Sequence, residues 1–139
     1  MPEITFTSKG ISFKLTHARK TTNWLSSIAQ KEGRKIESLL YIFSTDPFLA
    51  SLNKKYLSHS AFTDILTFDY SEGAPVNGEI YISIPRVREN AKVFKQEFEI
   101  ELRRVMVHGL LHILGYNDKT GRQSLQMRTK EEACLSLWA

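Results

Sequence analysis

The chain has 139 residues, of which 42% are hydrophobic and 24% charged, and its formal net charge is +4. This length and composition are typical of a globular domain with its own core, so we expect residues 1–139 to form a single domain. No apolar stretch is long enough to span a membrane, the first residues do not resemble a signal peptide, and Cys134 is the only cysteine. These features predict a cytoplasmic protein with no disulfide and no membrane partner.

The positive charge is unevenly distributed along the chain. Residues 1–60 hold nine lysines and arginines against four acids, whereas residues 61–139 hold ten against eleven. Such a modest basic bias is compatible with nucleic-acid binding but does not by itself require it.

The N-terminal segment combines strand and helix patterns. Residues 4–7 and 11–15 alternate apolar and polar side chains on either side of Ser8–Gly10, which predicts two short strands in a hairpin. The apolar spacing over residues 19–32 predicts a helix that is closed by Gly33.

The next segment predicts a buried strand followed by a helix. Residues 38–44 form a continuous apolar run, as expected for a central strand covered on both faces. Asp46 and Pro47 are typical of a helix start, with Asp46 as the N-cap. We expect this helix to end near Leu57 and a polar loop to follow over residues 58–61.

The second half of the chain predicts two strands and then three helices. The strands are expected over residues 63–69 and 79–83, with a turn over 71–78. The first helix is expected to begin at Pro85, and the second and third to cover residues 97–114 and 123–137. Together the elements predict an α+β fold with a small mixed β-sheet flanked by helices.

The most informative stretch lies at the end of the longest predicted helix. His108 and His112 stand four residues apart among apolar side chains, so both imidazoles point from one helix face. Gly115 can adopt positive φ and end the helix, which allows Asp118 to return beside the rings. Two imidazoles and a carboxylate are a plausible three-ligand metal site with one open position. On the pattern alone, two hydrogen-bonded core histidines remain the alternative.

Other chemical readings of the same region are weaker. A zinc peptidase of the His-Glu-x-x-His type needs a glutamate directly after its first histidine, and Gly109 stands there. Tyr116 could stack on a base or pack on the core. Asp64 and Glu79 stand near the starts of predicted strands, where we expect structural roles.

The helix that begins at Pro85 carries four basic residues. They could hold an RNA backbone by charge, or they could form a solvated helix face. These candidate RNA-binding residues are Arg86, Arg88, Lys92 and Lys95.

Residues 108–116, His-Gly-Leu-Leu-His-Ile-Leu-Gly-Tyr, resemble the motif of the YbeY family of metal-dependent endoribonucleases. Further stretches are similar to that family in order and spacing, and the likeness extends over roughly residues 36–137. These stretches are residues 52–56, 63–68, 77–83 and 127–135.

The resemblance implies both a fold and an activity. It implies an α+β fold with a central metal-bearing helix and one zinc ion, held here by His108, His112 and Asp118. It also implies a single-strand-specific endoribonuclease that acts on the small ribosomal subunit, in maturation of its ribosomal RNA and in ribosome quality control.

The chain departs from the family pattern at two positions. Asp118 stands where the family has a third histidine, so a divalent metal other than zinc is also possible. Leu57 stands where the family has an arginine that is thought to assist at the phosphate, so no catalytic side chain is assigned, although His59 could partly substitute. Leu57 favours the alternative function, a ribosome-assembly factor with a structural metal and little nuclease activity.

Overall fold

The computed structural model describes residues 3–57 and 64–138. In those ranges the sheet has four strands: β1 (Glu3–Ser8), β2 (Ile36–Ser44), β3 (Ile65–Asp69) and β4 (Val76–Ser83). The strands lie in the order β1-β2-β4-β3, with β1 and β4 parallel to β2, and β3 antiparallel to β4. The predicted small mixed sheet is therefore confirmed.

Helices flank this sheet. The described ranges contain α1 (Ala18–Lys31), α2 (Asp46–Leu57), α3 (Ile84–Val93), α4 (Phe98–Ile113) and α5 (Gly121–Ser136). Helix α4 is central, because it packs on β3 and β4 and also contacts α1, α3 and α5. Among the helices of these ranges, none has the length and apolar character that crossing a membrane requires.

The predicted central strand is confirmed as β2. Its neighbours on the two sides are β1 and β4, and its side chains Leu39, Tyr41 and Phe43 are almost fully buried. The Tyr41 hydroxyl donates a hydrogen bond to the carbonyl oxygen of Met106 on α4 at 2.9 Å, so this buried phenol is satisfied and ties the sheet to the central helix.

The predicted hairpin at the N-terminus is wrong. Strand β1 pairs in parallel with β2, from Glu3 opposite Ser38 to Ser8 opposite Phe43, and residues 11–15 form no strand. Parallel strands need a crossover connection, which α1 supplies. The segment after Gly10 instead covers the sheet, because the Phe13 ring packs edge-on against Phe43 at 5.0 Å between ring centroids. Alternation alone could not distinguish a paired strand from such a covering segment.

Most predicted helix boundaries hold within two residues. Helix α2 begins at Asp46, which is the first helical residue rather than the N-cap. The Asp46 carboxylate accepts hydrogen bonds from Ser83 and Arg86, so it joins α2 to the start of α3. Helix α5 begins two residues earlier than predicted, because Thr120 and Gln123 form a capping box.

Gly109 explains how α4 approaches the sheet. A Cβ atom at this position would lie 2.9 Å from Ile65 Cδ1 and 3.0 Å from Ile80 Cδ1. Position 109 therefore faces β3 and β4, and the absence of a side chain permits the close packing. A glutamate at position 109 would point into the sheet, where it could not act as the general base of a metallopeptidase. The packing therefore argues against that function, in addition to the sequence.

Candidate metal centre

His108 and His112 lie in the last two turns of α4. Their ring centroids are 4.7 Å apart, and the two Nε2 atoms are 3.1 Å apart. Both side chains are partly exposed, at 21% and 29%. The helical period brings the rings together as predicted, and the surface remains open to an incoming ligand.

The turn after α4 returns a carboxylate to the two rings. Gly115 has φ +112°, its N–H bonds the carbonyl of His112 at 3.1 Å, and the Tyr116 N–H bonds the carbonyl of Leu111 at 2.9 Å. These two bonds form a Schellman motif, which reverses the chain. Asp118 Oδ2 then lies 3.4 Å from His108 Nε2 and 3.5 Å from His112 Nε2.

The three donor atoms form a triangle suited to a small divalent cation. Its edges are 3.1, 3.4 and 3.5 Å. Four ligands at zinc-like bond lengths of 2.0–2.1 Å in a regular tetrahedron are separated by roughly 3.3 Å. His108, His112 and Asp118 therefore fit three corners of such a site, and they are the group among the described residues whose donor atoms converge in this way.

Glu131 on α5 supports the triangle from behind. Its Oε2 lies 2.6 Å from His108 Nδ1, and its side chain is 7% exposed. A carboxylate at Nδ1 retains a proton on that nitrogen, which leaves the lone pair of Nε2 directed at the triangle. Arg104 Nη1 lies 3.3 Å from Glu131 Oε1, so the buried carboxylate is also paired.

The two imidazoles have opposite pKa shifts. Burial acts to lower the pKa of His108, but the hydrogen bond and charge of Glu131 outweigh burial and raise it above the ordinary value. Burial, followed by the charge of His108, lowers the pKa of His112. A metal ligand must offer a free lone pair, so a cation would compete with protons for the two Nε2 atoms.

A cavity of about 320 Å³ opens beside the triangle. It lies between α3, α4 and α5, and its wall includes His108, Asp118, Asp64, Phe94, Glu101 and Arg128. This volume is at the lower end of the range for small-ligand pockets. The candidate metal centre is therefore one wall of a larger recess.

Several residues of this region were missed by sequence reasoning. Asp64, expected to be structural, lines the cavity, and burial raises the pKa of its carboxyl group. Glu131 was not singled out, although a glutamate between Met127 and Cys134 on the buried face of a helix is a signal that could have found it. Glu79 accepts hydrogen bonds from the hydroxyls of Tyr70 and Tyr81, in agreement with a structural role.

The four candidate RNA-binding residues do not line the cavity. Arg86 pairs with Asp46 at 2.9 Å, and the Arg88 guanidinium lies 5.1 Å from the Phe98 ring centroid. Lys92 and Lys95 are exposed. Asn90 and Phe94 are the residues that this part of the chain contributes to the cavity wall.

Tyr116 is partly buried and its hydroxyl is hydrogen-bonded. Its hydroxyl donates to Glu32 Oε1 at 2.9 Å, and its ring packs against the core cluster. The side chain of Leu57 and all of His59 lie outside the part of the chain that the structure describes.

Comparison with known proteins identifies relatives over nearly the whole chain. The family model "Endoribonuclease YbeY" matches residues 3–139. The chain is 46% identical to "Endoribonuclease YbeY" of Flavobacterium psychrophilum, over 92% of this chain and 91% of the relative. It is 34% identical to the protein of the same name from Bacteroides thetaiotaomicron, over 96% and 98%. The solution structure of TM1509 from Thermotoga maritima matches with a TM-score of 0.66 at 28% identity, over 96% and 87%.

Proposed function

The chain belongs to the YbeY endoribonuclease family, and we propose that it is a zinc-dependent, single-strand-specific endoribonuclease. Its proposed role is maturation of the small-subunit ribosomal RNA and ribosome quality control. Its proposed partners are single-stranded RNA, ribosomal RNA and the small ribosomal subunit, and its proposed compartment is the cytoplasm. The family assignment supports RNA cleavage.

The donor triangle carries the metal part of this proposal. Its edges of 3.1, 3.4 and 3.5 Å match three corners of a zinc-sized tetrahedron. His108, His112 and Asp118 would hold the ion, which in such sites lowers the pKa of a bound water to about 7 and polarises a phosphoryl oxygen. Because Asp118 replaces an imidazole, manganese or iron(II) is a further candidate.

The chain's own side chains would prepare the site for this chemistry. Glu131 would orient His108 and hold the proton at Nδ1. The neighbouring cavity would receive the RNA next to the scissile bond, and the exposed lysines Lys92 and Lys95 would attract its backbone. The side chain that assists at the phosphate stays unassigned, because Leu57 stands at the position of the family arginine.

A second candidate function rests on the same departure. Leu57 favours a ribosome-assembly factor whose metal is structural and whose nuclease activity is weak. The two functions predict different results with RNA, so one assay separates them.

We expect the purified protein to cleave single-stranded RNA weakly and only with a divalent metal, and to leave peptides intact. Leu57→Arg should raise the cleavage rate if the missing guanidinium limits catalysis. Labelled single-stranded RNA, a matching duplex and a peptide should be incubated with wild type, Leu57→Arg and Leu57→Lys, with zinc, manganese or chelator. RNA that stays intact with every metal, together with normal binding to the small subunit, would support the assembly-factor function.

Glu131→Gln is expected to weaken metal binding by roughly 10- to 100-fold, the range for losing a partner that orients a metal ligand. The substitution removes the charge at His108 Nδ1 but keeps the size of the side chain. Glu132→Gln is the matched control, because Glu132 also pairs with Arg104 but does not contact the histidine. Zinc titration of both variants provides the measurement, and equal affinities would exclude the orienting role of Glu131.

A further inference from the structure

The cavity beside the donor triangle contains an exposed aromatic ring. Phe94, the residue after α3, is 51% exposed and belongs to the same wall as His108 and Asp118. Leaving a large apolar ring in water forgoes the free energy of burying it. Its position at the edge of a polar recess suggests a ligand with a flat, stacking surface.

Arg128 adds a second planar group to the same place. Its guanidinium carbon lies 6.0 Å from the centroid of the Phe94 ring, and its side chain is exposed on α5. Aromatic rings and arginine guanidinium groups are the surfaces on which unpaired RNA bases stack. Arg128 also carries a charge that can approach a neighbouring phosphate.

The cavity wall also contains a buried acidic side chain. Glu101 is 3% exposed, and its Oε1 has no hydrogen-bond donor within the described part of the chain. Arg104 Nε lies 3.7 Å from that oxygen, which is too long for a hydrogen bond. A buried carboxylate oxygen without a donor is costly, so a ligand that brings N–H groups would be favoured there.

We propose that this cavity is a nucleobase subsite, in which a base adjacent to the cleaved phosphate stacks on Phe94 and presents N–H donors to Glu101. Guanine fits this arrangement best, because its Watson–Crick edge carries adjacent N–H donors beside an acceptor. Uracil offers a single N–H between two carbonyl oxygens and fits less well. The position of the base next to a cleaved phosphate rests on the proposed function. Binding of a base in the cavity does not depend on that function.

A second metal ion is the main competing occupant, because Asp64, Glu101 and Glu131 all line the cavity. Among the described residues, however, the cluster whose ligand atoms lie close enough together to hold an ion consists of His108, His112 and Asp118. The other carboxylates of the cavity do not join that cluster. The Phe94 ring also offers no ligand atom to a metal ion, so the observations favour a base.

The first experiment tests stacking. Phe94→Ala should weaken binding of a non-cleavable single-stranded RNA by roughly tenfold, the scale of one lost stacking contact, and Phe94→Tyr should restore it. Leu125→Ala is the matched control, because Leu125 is 69% exposed on α5 and lies outside this cavity. Fluorescence anisotropy gives the affinities. If Phe94→Ala binds as tightly as Leu125→Ala, the stacking subsite is wrong.

The second experiment tests base preference without cleavage. GMP, CMP, UMP and ribose 5-phosphate should be titrated into wild type and Glu101→Gln, with NMR shifts of the Phe94 ring as the readout. We expect GMP to bind severalfold more tightly than UMP, and Glu101→Gln to reduce that preference. Equal binding of GMP and ribose 5-phosphate would overturn the proposal. Base binding by a protein that cuts no RNA would leave the subsite standing and remove only the nuclease function.

Discussion

Replacing both His108 and His112 by alanine should remove nearly all bound metal and, with it, RNA cleavage. The reason is geometric, because the substitution deletes two of the three donor atoms of the triangle and leaves Asp118 alone. Elemental analysis of protein purified without a polyhistidine tag should show up to one divalent ion per wild-type chain and less than roughly a tenth of that in the double variant.

The control for this prediction is a histidine far from the site. His17 precedes α1 in a left-handed conformation with φ 58°, and His17→Asn is suitable because asparagine tolerates that backbone. We expect His17→Asn to retain wild-type metal content. Thermal unfolding of metal-free samples checks that all variants fold. Equal metal in wild type and the double variant would show that the two rings are ordinary surface-facing histidines.

Asp118→Ala should weaken binding of both zinc and manganese by more than tenfold, at least as much as the loss of an orienting partner. The expectation follows from Asp118 Oδ2, which lies 3.4 and 3.5 Å from the two Nε2 atoms. Asp118→Asn retains a neutral oxygen and should fall between alanine and wild type. If Asp118→Ala binds zinc and manganese as tightly as wild type, Asp118 is not a metal ligand and its carboxylate only ends the turn.

Asp118→His tests the metal preference of the same position. A carboxylate reduces the net charge of a divalent site to 1+ and adds a hard oxygen ligand, which makes manganese and iron(II) more competitive with zinc. A third imidazole reverses both effects. We therefore expect the ratio of zinc to manganese affinity to rise in Asp118→His, measured by competitive titration of the apo-protein. An unchanged ratio would argue that Asp118 does not set the preference.

The close approach of His108, His112 and Asp118 depends on neighbours in sequence. Residues four apart, such as His108 and His112, lie on one face of a helix wherever that helix packs in the structure, because the helical period is local. Gly115 determines the turn in the same way, since the Schellman bonds join residues 111–116. The turn that directs the chain back towards the rings is therefore local.

Contacts between distant segments could not be predicted in this way. Strand β1 pairs in parallel with residues more than 30 positions away, whereas the local alternation suggested a hairpin. Glu131 reaches His108 from 23 positions along the chain, and this contact depends on how α5 crosses α4. Local patterns carry no information on crossing positions, which are decided when the helices pack against one another.

The sequence by itself determined the family, the order of most elements and the two imidazoles with their returning carboxylate. The family was indicated by the resemblance of residues 108–116 and four further stretches, whereas the elements and the arrangement of the rings follow from local period and turn chemistry. The tertiary structure alone decided the parallel pairing of β1, the support of His108 by Glu131, and the cavity that joins Phe94, Glu101 and Arg128 to the triangle. The physical reason is that a cavity is the space left between three packed helices, and no one helix contains it.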